Sequence, residues 1–277
     1  MYIPDNVTVE ESFSILTHVN NTVESSLLKY LLVVVGRNAS VNFLEEWKSY
    51  GNTDNLVNTY THIIGQAGSK INYTSIDSLS DKTTNYLSGY AFMGNESQIR
   101  YSVAALSQGD HLGMYEADAV GRGSHAEMEV LALSNKKQKK GFDTGTKNIG
   151  THSVGYVLQH GAVLDQSFLS FNGITNITQE AKHSDGRQTS RLLMLSEEGR
   201  GDVNPILLID QHEVTAGHSA SAGQLDKEQL YYLQSRGIDR RTAEKLVTRG
   251  FLGVVLERIS SRVAQDKVVA LIDERLS

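Results

Sequence analysis

From residue 7 to about residue 221 the chain is built of short apolar or alternating segments, each cut off by a polar turn. Ser12-Phe-Ser-Ile-Leu, Leu31 to Val35, Val154-Gly-Tyr-Val-Leu and Ile206-Leu-Leu-Ile are examples. β-branched and aromatic residues fill them, and Gly or Asn punctuates them, as in buried or half-buried strands. Val41 to Tyr50 is the best candidate for helical spacing in this region, and could be a short insertion. No strict repeat motif is found. Many short strands without helical crossovers leave a sandwich, a barrel or a parallel β-helix, and composition does not choose between them. Only two prolines, Pro4 and Pro205, interrupt 277 residues, which suits a long strand array.

The last fifty or so residues change character. Asp226 and Gln229 are placed for a capping box, Leu230 and Leu233 with Tyr231 or Tyr232 give an apolar face, and Gly237 suits a left-handed C′ position. Asp239 caps a second helix through Ala243, Leu246 and Val247, ending near Gly250. Phe251 to Ile259 is expected as a third helix. A fourth, from about Arg262 to Leu276, carries Ala264, Val268, Leu271 and Ile272 on one stripe. The expected division is a β domain over 1–224 and a helical domain over 225–277.

Charge follows the same boundary. Residues 225–277 hold 10 Lys/Arg against 8 Asp/Glu, and residues 1–224 hold 16 against 24. A body this acidic argues against a nucleic-acid groove. Lys136, Lys137, Lys139 and Lys140 form the one dense basic run, and Gly141 after them favours a solvated loop. The chain has no cysteine, so it supplies no disulfide, thiolate ligand or cysteine nucleophile. The N-terminus lacks a basic-then-apolar leader pattern, and Leu31 to Val35, the longest apolar run, is too short to span a bilayer. A cytoplasmic protein is expected.

Motifs for phosphate cradling, zinc proteolysis, serine hydrolysis and dinucleotide binding are missing from the sequence. His212 and His218, with Asp210 and Glu213 nearby, have ligand types suited to iron or zinc. Six residues apart, the two imidazoles share a face if the strand is unbroken, but Gly217 argues for a bend or bulge. On spacing alone, a pair of surface or hydrogen-bonded histidines is the preferred reading. His125 with Glu127, and Asp110 with His111, are weaker candidates. Tyr231 and Tyr232 read as core before they read as a partner-binding face.

The stretch Pro205-Ile-Leu-Leu-Ile-Asp-Gln-His-Glu-Val-Thr-Ala-Gly-His-Ser-Ala-Ser-Ala-Gly-Gln-Leu-Asp-Lys-Glu-Gln-Leu-Tyr-Tyr-Leu-Gln-Ser-Arg-Gly-Ile238 resembles the C-terminal signature of the SufB/SufD family, in its SufD-like, Gram-positive form. Phe171-Asn-Gly-Ile, Gln188 to Ser196 and Gly250-Phe-Leu fit the same family. The likeness is strong over about 150–260 and diffuse before that.

The resemblance implies a right-handed parallel β-helix followed by a small helical domain. It implies a complex with SufB and with SufC, the ATPase. The tail would dock SufC through Leu225, Gln229, Leu230, Tyr231, Tyr232, Leu233, Arg236, Gly237 and Phe251. The β-helix would pair with SufB, and His218, with His212 beside it in sequence, would lie at that interface. His218 is the metal-ligand candidate, for iron or a transient iron–sulfur cluster that this chain does not hold stably alone. Some SufD proteins carry cysteine two residues before that histidine; Ala216 stands there, so sulfur would come from SufB. The family's N-terminal helical region is missing from this sequence, which reads as truncated or as a reduced member.

The expected function is therefore a non-catalytic scaffold in iron–sulfur cluster assembly that binds neither nucleic acid nor membrane; a homodimer of the isolated protein would be compatible with it. A β-helix carbohydrate-active enzyme or surface adhesin is the alternative. It requires clustered catalytic carboxylates on one face, which the sequence does not assemble.

Overall fold

A computed structural model describes residues 1–276. The strands are β1 (Tyr2–Ile3), β2 (Phe13–Asn21), β3 (Ser26–Val35), β4 (Ser40–Gly51), β5 (Asn55–Gly65), β6 (Lys70–Asp77), β7 (Thr83–Met93) and β8 (Gln98–Ala105). They continue as β9 (His111–Ala119), β10 (His125–Ser134), β11 (Lys139–Asn148), β12 (Val154–Val163), β13 (Phe168–Ile177), β14 (Asp185–Met194), β15 (Arg200–Ile209) and β16 (Thr215–Gln224). Odd strands form one eight-stranded sheet and even strands another, each in chain order with every pairing parallel. This is a parallel β-helix in which each turn, or rung, contributes one strand to each sheet. Rungs differ in length: Asn85 pairs with His111, a shorter step along the chain than that from Phe168 to its partner Arg200.

Because adjacent strands are parallel and in register, side chains of the same phase stack in columns about 4.8 Å apart. Phe43, Tyr73 and Tyr101 form one such column inside the solenoid, continued by the exposed Phe13 on edge strand β2, with successive ring centroids from Phe13 onward 5.7, 5.6 and 4.8 Å apart. Each such ring pair contributes about 0.5–1.5 kcal/mol beyond its burial.

The corner between odd and even strands is equally regular. Asn6, Asn38, Gly68, Glu96, Gly123, His152 and His183 all have positive φ, between 53° and 70°. The backbone N–H of each donates to a carbonyl of the next rung, from Asn6 to Arg37 (2.7 Å) through to His183 to Glu213 (2.7 Å). A buried serine follows at positions 69, 97, 124, 153 and 184. Ser97 and Ser124 donate through Oγ to the carbonyls of Gly94 and Gly121, each at 2.7 Å. The sequence therefore does carry a repeat, Gly-x-x-Ser at 94–97, 121–124 and 150–153. The glycine is required by close approach: a Cβ on Gly150 would lie 2.2 Å from the Gly121 carbonyl oxygen.

Val41 to Tyr50 is strand β4, not a helical insertion. Val41, Phe43, Glu45 and Trp47 point inward in register with Ile71, Tyr73, Ser75 and Asp77. Leu44, on the outward face, is also buried, beneath the C-terminal helices. A strand covered on both faces loses its alternation and mimics a helical stripe.

The lysine run is not uniformly a solvated loop. Lys136 and Lys137 occupy the turn, but Lys140 lies in β11 with 1% exposure. Its Nζ donates to the carbonyls of Ser107 (2.7 Å), Leu133 (2.8 Å) and Ala105 (3.3 Å).

After β16 come three helices, α1 (Lys227–Ser235), α2 (Arg240–Leu256) and α3 (Arg262–Arg275). Asp226, Asp239 and Ser261 cap them as N-cap acceptors. Gly237, at φ +85°, closes α1: Ile238 N–H reaches the Leu233 carbonyl and Gly237 N–H that of Gln234. The second and third helices expected from sequence are one. Gly250 costs a helix interior about 1 kcal/mol relative to Ala, and burial of Thr248, Leu252 and Val255 on the inner face offsets it.

α2 and α3 lie on the outer face of the even sheet. Leu252, Val255, Ile259, Ala264, Val268 and Ile272 share a core there with Leu44, Ile76, Leu106, Leu131, Leu133 and Ala162. Among the described residues no helix is long and apolar enough to cross a membrane.

Burial lowers the Lys140 pKa from the lysine value to about 7. Between pH 7 and roughly 10 the unfolded chain therefore binds a proton that the folded chain does not, and stability rises with pH by up to about 1.4 kcal/mol per unit. Lys140→Met should remove this share of the rise, read as the difference between wild-type and variant urea midpoints at pH 7 and pH 9.5. Equal midpoint shifts at both values would count against it.

Candidate functional site

The solenoid ends on an open rung. β15 and β16 are edge strands, with neighbours only at β13 and β14. Pro205 stands in β15, where the missing N–H is tolerated because the strand is an edge.

His218 lies in β16, in register with Gln188 of β14. Tracing the pairings back, the column runs through Val157, Met128, Tyr101, Tyr73 and Phe43 to Phe13. From Phe43 to Gln188 each of these side chains is buried in the lumen. His218 belongs to the same inward phase and is exposed only because no further rung covers it.

Gly217 introduces no bulge; it pairs with Arg187 in an uninterrupted ladder. The two sequence candidates nonetheless do not share a strand. His212 sits in the turn before β16, where its backbone N–H and that of Glu213 donate to Gln211 Oε1. Among the described residues no group of three or more His, Cys, Asp or Glu side chains is arranged to hold a metal ion.

α1 follows directly. Leu230 is turned inward, Leu225 and Leu233 are half-buried, and Gln229, Arg236 and Gly237 are exposed. Tyr231 and Tyr232 point to solvent, at 74% and 57% exposure, which overrides the core reading from sequence. Arg236 lies over the Tyr232 ring, 5.3 Å from its centroid. Phe251 is separate from this surface. It is half-buried against the even sheet, stacked on His160 at 4.8 Å, and its carbonyl is 2.8 Å from His160 Nδ1.

The weaker histidine candidates are structural. His111 is fully buried with Nδ1 2.9 Å from Asp77 Oδ2, a pairing between positions too far apart in the chain for spacing to reveal it. His125 Nε2 is 2.9 Å from Glu127 Oε1. Glu127 also accepts from Arg100 Nε and Arg258 Nη2, each at 2.8 Å, and Glu129 from Arg258 and Ser102. Burial pushes both carboxyls up. In Glu127 the hydrogen bonds from His125, Arg100 and Arg258 outweigh it and hold the pKa well below the usual range, whereas in Glu129 burial prevails. This cluster latches the turn after α2 to β10.

The model of the family described as "SUF system FeS cluster assembly, SufBD core domain" matches residues 18–251. The chain belongs to the SufB/SufD family. It is SufD-like: it is 34% identical to the iron–sulfur cluster assembly protein SufD of Bacillus subtilis over its whole length, covering 63% of that protein. SufD of Escherichia coli is 28% identical over 56% of this chain and 37% of its own length. A SufBD family protein of Mycobacterium tuberculosis is 28% identical over 71% of this chain and 52% of its own. The chain thus spans less than two thirds of these relatives. The SufB/SufD match includes the open rung, His218 and α1, and closes at Phe251 where α2 meets the sheet.

Arg258→Met should cost about 1–3 kcal/mol in urea unfolding. It leaves buried Glu129 short of a partner, and the partial exposure of Arg258 reduces the loss from that of a fully buried pair. Adding Glu129→Gln should recover part of it.

Proposed function

We propose that this chain is a non-catalytic, SufD-like scaffold in iron–sulfur cluster assembly. Its open rung meets a SufB-type β-helix and its α1 docks the SufC ATPase. The observation that carries the reading is placement. The family signature through residues 205–238 falls on two exposed parts of the fold, the rung formed by β15 and β16 and the outer face of α1.

The physical logic is direct. Edge strands present unpaired backbone groups that another strand can complete. His218 stands on that rung without a ligand set of its own, so a cluster held there as cargo takes its remaining ligands from the partner chain. On α1, Tyr231 and Tyr232 offer rigid amphipathic area at low entropic cost, the composition of an interface anchor. A cytoplasmic setting follows from this role.

Tyr231→Glu with Tyr232→Glu should weaken SufC retention at least about 30-fold, the loss expected for hot-spot aromatics, with little change in melting temperature because both rings are exposed. His218→Ala should leave SufB and SufC co-purifying while the reconstituted complex loses most of its cluster absorbance. Undiminished SufC binding by the double variant, or full cluster content without His218, would remove the corresponding surface from the reading.

A further inference from the structure

Aromatic side chains recur along the lumen, Phe43, Tyr73, Tyr101 and Tyr115 in the earlier rungs and Phe142 and Phe171 in the later ones. Beneath His218 the interior carries two buried amides, Gln159 and Gln188, with Ser190 and Gly173. A buried amide in an apolar stack is retained at a cost unless both ends are hydrogen-bonded.

Gln159 meets that condition by reaching to the next rung twice. Its Nε2 donates across the lumen to the Asn172 carbonyl (3.4 Å), and its Oε1 accepts from Ser190 Oγ (2.6 Å), its register partner in β14. Gln188 repeats the arrangement one rung later. Its Nε2 donates across the lumen to the Ile206 carbonyl (2.7 Å). That bond fixes which end of the amide is oxygen, because a flipped amide would set two acceptors against each other. Its Oε1, however, is buried and has no hydrogen-bond partner. Within the column, Val157 on one side has nothing to donate, and the register partner on the other side is His218.

We propose that Gln188 is a positioning residue for His218: its Oε1 accepts one imidazole N–H, turning the ring over the lumen and fixing its tautomer. The other ring nitrogen, with its lone pair, then faces outward from the open rung. A ligating histidine is oriented in this way when its second nitrogen donates to a fixed acceptor. The consequence for cluster binding rests on the function proposed above; the contact itself does not.

The test is the imidazole ¹⁵N spectrum of the full chain labelled at histidine, with the His218 signals assigned by their loss in His218→Gln. Above neutral pH, wild-type His218 should be biased towards one neutral tautomer by about tenfold, the ratio one ordinary hydrogen bond supports. Gln188→Leu should abolish the bias, and Gln188→Glu, which keeps the acceptor, should preserve it. A wild-type His218 with the tautomer mixture of free histidine overturns the proposal, even if the Leu variant does not fold. So does a folded Gln188→Leu with the bias unchanged. In the reconstituted complex, Gln188→Leu should keep SufB and SufC and lose cluster several-fold. Failure of the wild type to retain those partners would remove the proposed function and leave the tautomer result standing.

Discussion

Seven successive rungs repeat the same corner, and the rest of the molecule depends on that constraint. A residue with positive φ turns the chain, its N–H is donated along the axis, and from the second corner on a buried alanine or serine closes the inside. With the corner fixed, strands fall into register, and register in turn lines up the columns. Differences in rung length are absorbed elsewhere in the turns. The positive-φ residue itself varies freely among Asn, Gly, Glu and His, since it faces solvent.

That freedom explains what is legible in the sequence. Strand-rich character, the helical tail and its caps at Asp226, Asp239 and Gly237 follow from local chemistry and match the structure. The β-helix is singled out only by the family resemblance, because sandwich and barrel have the same local pattern. The Gly-x-x-Ser corner is hard to see in the sequence because its spacing drifts from rung to rung and only three copies are complete. Strand β4 and Lys140 mislead a reading of the sequence because burial on both faces, and a lysine satisfied by three backbone carbonyls, are tertiary facts.

The candidate site is legible in part. His218 and the α1 tyrosines are recognisable from the signature, but that His218 continues an inward column is visible only through register. Phe251, in the Gly250-Phe-Leu piece that fits the same family, has a different position, holding α2 against His160. Residues that carry one resemblance thus divide between an exposed surface and a joint within the fold.

The helices on the even sheet change how the rod behaves. In a solenoid each repeat touches only its neighbours, so order is lost one repeat at a time from the ends. Here Lys267 of α3 bonds the far-removed Glu46 in β4, and Arg258 bonds Glu129 in β10. The pair of helices is a splint along one side, binding distant coils into a single cooperative block. The last coil, with His218, lies past the coils that the splint holds, so a change in its shape does not have to loosen them.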